Sequence, residues 1–296
     1  MVKAVEKDRM YRGVLKEHAV RFVFGNFRQL AETGILKHDT DPVAGRLLGG
    51  ALVSGALMSV LLNEEERYSI RIDYASPAGG LMLDVSGRGD VRGFIRNPHV
   101  MTEAESIEAA CGDESTVTVT KSCNGKVLNS GQAKSAFILP EAALSYFLSV
   151  SDQVESEICT VLRFRPEPIA PVKGADSLMI QALPDCDLEF FNTLREKMFS
   201  PGAIEILTSE TLDSEEKIGE LFKYLCDEEK TPLLDFVEVE APRFNCSCSA
   251  QKLWDTAKTM LGEEDFAKLL EENPDPVIFC QFCNTEHRYP SQLKKS

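Results

Sequence analysis

The chain is short of positive charge: 32 lysines and arginines stand against 47 aspartates and glutamates in 296 residues, a net charge of −15. A protein that grips nucleic acid neutralises phosphates with a basic surface, so this balance argues against nucleic-acid partners. An export signal is missing as well. The opening MVKAVEKDRMYRGVLKEH is polar and charged, with no basic stretch leading into an apolar one, and the chain is expected to be cytoplasmic. Long apolar runs are scarce. The one candidate, LLGGALVSGALMSVLL at Leu47–Leu62, is 16 residues without a charge and rich in Gly, Ala and Ser. That is shorter than the roughly 20 residues needed to cross a bilayer, so it reads as a buried core helix with Asp41 as N-cap and Pro42 in its first turn, and no membrane partner is expected.

Catalytic signatures are absent too. Gly125-Lys126 is followed by Val127, and Thr120 stands where a P-loop needs its first glycine. Gly87, Gly89 and Gly93 miss the dinucleotide spacing by one residue and read as turn glycines between strands. Ser54-Gly55 lacks the preceding glycine of a nucleophile elbow, and no nucleophile pattern accompanies His18, His38 or His99. The chain is not expected to be an enzyme.

What is present first is period two. Tyr68, Ile70, Ile72 and Tyr74 alternate with polar residues, LMLDV and VRGFI flank the turn SGRGD, and STVTVTK and KVLNSGQ flank Asn124-Gly125, a strong hairpin signal. A helix over 140–150, a strand around Val154–Phe164 and an apolar strand at 177–183 follow. Hairpin-linked strands outnumbering helices predict an α+β fold with a strand-rich N-terminal core domain, 1–187. The chain then becomes acidic: residues 210–240 hold 11 acids and 3 lysines, a net −8. Asp213 with Glu216 resembles a capping box, and Ile218, Leu221, Phe222 and Leu225 fall at i, i+3, i+4 and i+7. Residues 188–241 are therefore read as a helical acidic linker docked on the core through that stripe and easily undocked, because acid repulsion opposes the apolar contact.

The third region, 242–296, carries the sharpest signal. Cys246 and Cys248 form a CxC, and Cys280 and Cys283 a CxxC. Two close pairs of thiolates can close a tetrahedral zinc shell, one Zn2+ per chain in the reduced state. Nine cysteines without an export signal favour reduced thiols plus metal over a disulfide framework. Ser249 can cap a helix with the face Ala250, Leu253, Trp254, Ala257 and Leu261, ended by Gly262; Phe266, Leu269 and Leu270 mark a second helix, and 277–279 a short strand. On spacing alone, a static structural zinc site ranks ahead of a redox switch. A thiol oxidoreductase using Cys280 and Cys283 lacks a preceding thioredoxin-like βαβ unit. His287, four residues past Cys283, could replace one cysteine as ligand, but with four thiols already available it reads as a surface residue or one that supports the ligands.

The segments FNCSCS and VIFCQFCN, at the end of an acidic chain of 32.8 kDa, resemble the bacterial redox-regulated thirty-three-kilodalton chaperonin family. LMLDVSGRGDVRGFIRNPHV resembles that family's strand-turn-strand ending in RGY-x-x-NP, with Phe94 for tyrosine, and RLLGGALVSGALMSVLL, VTVTK, YFLSVSDQ and SLMIQALP also sit in the expected order. MTEAESIEAACGDES stands where the family has a Gly-rich run, and YFLSVSDQ departs from its serine-glutamate-glutamine triplet. Cys111, Cys123, Cys159, Cys186 and Cys226 match no family position.

The resemblance implies an ATP-independent holdase whose reduced, zinc-bound form is inactive. Oxidation with unfolding stress would form Cys246–Cys248 and Cys280–Cys283 disulfides, release zinc, and unfold the C-terminal module and linker. The partners it implies are unfolded or oxidatively damaged clients, an ATP-dependent foldase system downstream, and a second copy of the chain in an oxidised homodimer. It places the redox switch ahead of static zinc, with zinc-stabilised binding and thiol oxidoreduction as alternatives. Ile218, Leu221, Phe222 and Leu225 become the client-binding gate.

Overall fold

Apolar and polar residues alternate through much of the chain, and in the structure, a computed structural model describing residues 7–102, 106–227, 232–273 and 275–289, that alternation builds two mainly antiparallel sheets. The chain divides into two compact units, Met1–Phe244 and Asn245–Ser296. The class is α+β, as the strand pattern predicts.

The first unit opens with β1 (Arg9–Leu15) and β2 (Val20–Asn26), paired antiparallel. Within the start that reads as polar, Arg9–Leu15 is thus a strand: Tyr11 and Leu15 are buried on one side and Met10 on the other. After α1 (Arg28–Lys37) comes α2 (Pro42–Met58), capped by the Asp41 side chain accepting from the Ala44 amide at 2.8 Å. With the 3-10 turn that continues it, this helical run spans Pro42–Leu61, 20 residues with a mean hydropathy of 1.5, long and apolar enough to cross a membrane. Yet 83% of its 18-residue apolar window is buried inside the first unit, so here it is the central core helix. Its small residues permit that packing: a Cβ at Gly49 would lie 2.7 Å from a methyl of Leu162.

Five strands of the six-stranded sheet are β3 (Glu66–Tyr74), β4 (Gly80–Ser86), β5 (Asp90–Ile95), then, beyond α3 (Ile107–Cys111), β6 (Ser115–Cys123) and β7 (Lys126–Ser135). Asn124 and Gly125 turn between the last two with φ of 50° and 78°, the left-handed pair a two-residue hairpin requires. Part of MTEAESIEAACGDES forms α3, while residues 103–105 lie outside the described residues. After α4 (Pro140–Val150), β8 (Ser156–Phe164) and β9 (Val172–Ala182) join the first sheet.

The next residues contain α5 (Leu188–Lys197), α6 (Pro201–Thr208), α7 (Ser214–Leu225) and then β10 (Leu234–Val239) and β11 (Arg243–Phe244). The five-stranded order is β10-β1-β2-β9-β8, and the six-stranded order β11-β5-β4-β3-β6-β7, with β11 parallel to β5. A strand in the acidic stretch had no clear sequence signal. Its register sets Phe236 opposite Gly13, where a Cβ would sit 2.6 Å from the Phe236 Cβ and 2.5 Å from the Phe22 ring.

Period two divides the five-stranded sheet between two cores. Met10, Val23, Ile158 and Met179 turn towards α2 and the six-stranded sheet. Tyr11, Phe22, Phe24, Leu178 and Ile180 turn the other way, into a second core roofed by α5, α6 and α7. Both faces of β9 are therefore covered, and every residue from Gly174 to Gln181 is buried, the polar Asp176, Ser177 and Gln181 among them.

Candidate metal centre

In the second unit, α8 (Ala250–Leu261) starts where the Ser249 hydroxyl accepts from the Lys252 amide at 3.3 Å, and Gly262, at φ 81°, turns the chain into α9 (Glu263–Glu272). The two helices bury little. Among the described residues of this unit the buried side chains are Trp254, Phe266, Pro276, Cys280 and Cys283. Leu261, expected on the apolar face of α8, is exposed, and so is Met260 at 82%. Trp254, Phe266 and Tyr289 meet edge to face with ring centroids 5.2–6.2 Å apart.

The CxxC sits at the end of a small hairpin of β12 (Val277–Phe279) and β13 (Glu286–Arg288). The Cys280 amide donates to the Thr285 carbonyl at 3.0 Å, and the Cys283 and Asn284 amides turn back onto the Cys280 carbonyl at 3.3 and 2.7 Å. Asn284 takes a left-handed conformation, φ 52°, that this tight turn needs and asparagine tolerates. The CxC lies in the irregular segment before α8, with both its cysteines half-buried.

All four sulfurs lie within 4.8 Å of one another. Cys246 and Cys280 are 3.8 Å apart, Cys248 and Cys283 3.5 Å. Four sulfurs at about 2.3 Å from one tetrahedral ion would be separated by about 3.8 Å, so the donor set has the size as well as the softness that a thiolate-bound metal ion requires. Burial and then the neighbouring sulfurs push the Cys248 thiol well above its ordinary range, and burial raises Cys280. Burial acts the same way on Cys283, but hydrogen bonds from the Thr285 hydroxyl and amide outweigh it and bring that thiol down to about 7. Crowded sulfurs resist sharing negative charge, and a divalent cation among them reverses that resistance.

Two residues take a definite place only in the structure. His287 places Nε2 3.3 Å from the Cys248 sulfur. In the first unit, Lys217 belongs to the same buried face of α7 as Ile218, Leu221, Phe222 and Leu225. Those four apolar residues are buried against the five-stranded sheet, Phe222 with its ring centroid 4.5 Å from that of Phe22. The Lys217 ammonium donates to buried Asp176 at 2.9 Å and to the Leu207 carbonyl at 2.8 Å. The Asp213–Glu216 capping box is formed at the start of that helix. Of the remaining cysteines, Cys111 and Cys159 are buried, and burial first of all raises both thiols to about 12, the behaviour of inert structural cysteines.

The family described as Hsp33 protein matches residues 8–290 of this chain. The chain belongs to the Hsp33 family. A 33 kDa chaperonin of Enterococcus faecalis is 26% identical over 287 residues, covering 95% of this chain and 91% of that protein. A 33 kDa chaperonin of Bacillus velezensis is 23% identical, covering 96% of each. The crystal structure of a 33 kDa chaperonin, a heat shock protein 33 homologue from Thermotoga maritima, superposes with a TM-score of 0.79 at 20% identity over 97% of this chain and 96% of that one, a likeness of fold. For an Hsp33-family chain, a cluster of four cysteines able to hold a metal ion fits a redox switch in a chaperone.

Proposed function

We propose that this Hsp33-family protein is a cytoplasmic, ATP-independent holdase, and not an enzyme, that is inactive when reduced and zinc-bound and is switched on by oxidation. The observation that carries the reading is the cluster of four sulfurs within 4.8 Å, in a unit with so few other buried side chains. Zinc bound by Cys246, Cys248, Cys280 and Cys283 would keep all four sulfurs deprotonated and supply apparent binding energy on the order of 10–16 kcal/mol, which in so small a unit is folding energy.

Each cysteine pair gives two electrons to a peroxide-class oxidant and closes a disulfide, Cys246–Cys248 and Cys280–Cys283, and paired sulfurs no longer act as thiolate ligands. In the folded unit Cys246 lies against Cys280 and Cys248 against Cys283. Sequence neighbours, within 4.8 Å in the fold, stay close once the unit loses its fold whereas the cross pairs do not, so local closure is favoured. Disorder at Cys246 reaches β11 two residues earlier, and through it the end of the linker, 188–241. Undocking α5–α7 uncovers Tyr11, Phe22, Phe24, Leu178 and Ile180 together with Ile218, Leu221, Phe222 and Leu225, an apolar surface with an acidic rim suited to unfolding clients. Dimerisation of the oxidised form and handover to an ATP-dependent foldase complete the reading.

Two measurements test it. Peroxide with mild heat should release one zinc per chain, yield the two sequential disulfides by peptide mapping, and only then suppress aggregation of an unfolding client enzyme. Leu221→Ser/Phe222→Ser removes burial at roughly 1.5 to 3 kcal/mol per side chain, and the variant should hold clients with zinc bound and thiols reduced. Client binding that is unchanged by oxidation, or a double variant whose 214–225 amides are exposed without client binding, would refute the switch or the gate respectively.

A further inference from the structure

His287 does not belong to the four-cysteine set, yet its placement is built. It lies on β13 opposite Ile278 of β12, in the hairpin whose end carries Cys280 and Cys283. Strand alternation leaves Val277, Phe279, Glu286 and Arg288 exposed and turns Ile278 and His287 to the half-buried side. There Nε2 lies 3.3 Å from the Cys248 sulfur.

We infer that His287 is a reserve metal ligand that can take the vertex of Cys248, so that the centre can exist with three thiolates and one imidazole as well as with four thiolates. This rests on the reading of the cluster as a zinc site. Imidazole nitrogen and thiolate sulfur are interchangeable in structural zinc sites, and both compositions are common. Three of the four ligands of the alternative set, Cys280, Cys283 and His287, would come from a single hairpin, with Cys246 supplying the fourth. The substitution is confined to one vertex because the contact is with Cys248. The centre is therefore asymmetric: it tolerates loss of the second cysteine of the CxC and does not tolerate loss of a hairpin cysteine.

The test uses the full-length chain with Co2+ as the probe, whose visible bands report tetrahedral coordination and whose sulfur-to-cobalt charge transfer reports the number of thiolates. Wild type should show four sulfurs. Cys248→Ser should keep one tetrahedral Co2+ per chain with the charge-transfer intensity of three sulfurs and the bands moved to shorter wavelength. Cys248→Ser/His287→Ala should lose the tetrahedral bands, His287→Ala alone should keep the four-sulfur spectrum, and Cys248→Ser/His287→Cys should restore it. Loss of tetrahedral Co2+ in Cys248→Ser, or its retention when His287 is also removed, overturns the inference while leaving the four-thiolate site intact. A wild-type chain that binds no Co2+ overturns both.

Discussion

Where α5–α7 meet the five-stranded sheet, Phe22, Phe24, Phe191 and Phe222 are all buried beside Leu15, Leu194, Leu221 and Leu225. In the second unit, the rings of Phe266 and Tyr289 gather around Trp254 while Met260 and Leu261 of the same helix stay in solvent. The first region is closed by apolar area, which oxidants do not attack directly, so on the proposed reading it opens only after the second unit has lost its fold. The second has little but its sulfurs, so its stability follows their chemistry. On the proposed function, the sensor is the part that oxidation unfolds, and the client surface is covered until then. The two kinds of cohesion divide those tasks.

The largest effect expected from this contrast is loss of the metal. Cys280→Ser, or a chelator with mild oxidant, should remove apparent binding energy on the order of 10–16 kcal/mol from the second unit. Trp254 is the only tryptophan in the chain, so its emission reports that unit alone. Emission should shift to the red and hydrogen exchange should become fast through α8 and α9, while β3, β4 and α2 remain protected. Equal loss of protection in the core helix would erase the distinction between the regions.

The next effect tests whether apolar area is all that holds the linker helices. Lys217 is buried at the edge of the second core and donates to Asp176, which also accepts from the Asn26 side-chain amide at 3.0 Å and has Arg163 3.8 Å away. Lys217→Met keeps the length of the side chain and leaves Asp176 buried without its nearest cation. Breaking a buried pair from one side costs about 3–5 kcal/mol, whereas replacing both partners with apolar residues is often near neutral. We expect Lys217→Met to undock α7, read as exchange of the 214–225 amides in the reduced protein, and Lys217→Met/Asp176→Leu to recover much of the protection. If the single variant stays protected, docking is purely apolar and the ion pair only sets register.

Much of this comparison was legible in the sequence. The four cysteines, the capping box and the stripe Ile218, Leu221, Phe222, Leu225 are local patterns, and local patterns survive folding. What was not legible depends on distant partners. β10 is an edge strand whose alternation is diluted by Asp235 and Glu238, and its place is fixed by pairing with β1 at the other end of the chain. β1 itself was hidden by Arg9, Arg12 and Lys16 around it. Lys217 looked like one more linker charge because Asp176 lies 41 residues away, and His287, a conceivable ligand in the sequence, ranked behind the four cysteines because only the fold of the hairpin brings it to Cys248. Leu261, by contrast, satisfied the helical period and is exposed, since this unit offers no second layer for it to pack on.

The smallest effect concerns the polar rim of the linker interface. Glu210, between α6 and α7, accepts from Arg163 at 3.2 Å and lies 2.6 Å from the Lys173 ammonium, so one carboxylate ties the linker to β8 and β9. The hydrogen bond from Lys173, with the charges of Lys173 and Arg163, holds its carboxyl below the ordinary glutamate value, which burial opposes only weakly. Because the folded-state value is the lower one, the tie is fully present above the ordinary glutamate range and is lost as pH falls through the depressed folded value. Glu210 is exposed, so salt should weaken the tie further. Melting followed between roughly pH 3 and 6 should therefore show a shallower loss of α7 protection on acidification in Glu210→Gln than in wild type, with the difference shrinking in high salt. Identical slopes in the two proteins would mean that the acidic linker is held by its buried face and Lys217 alone, and that its surface charges only repel.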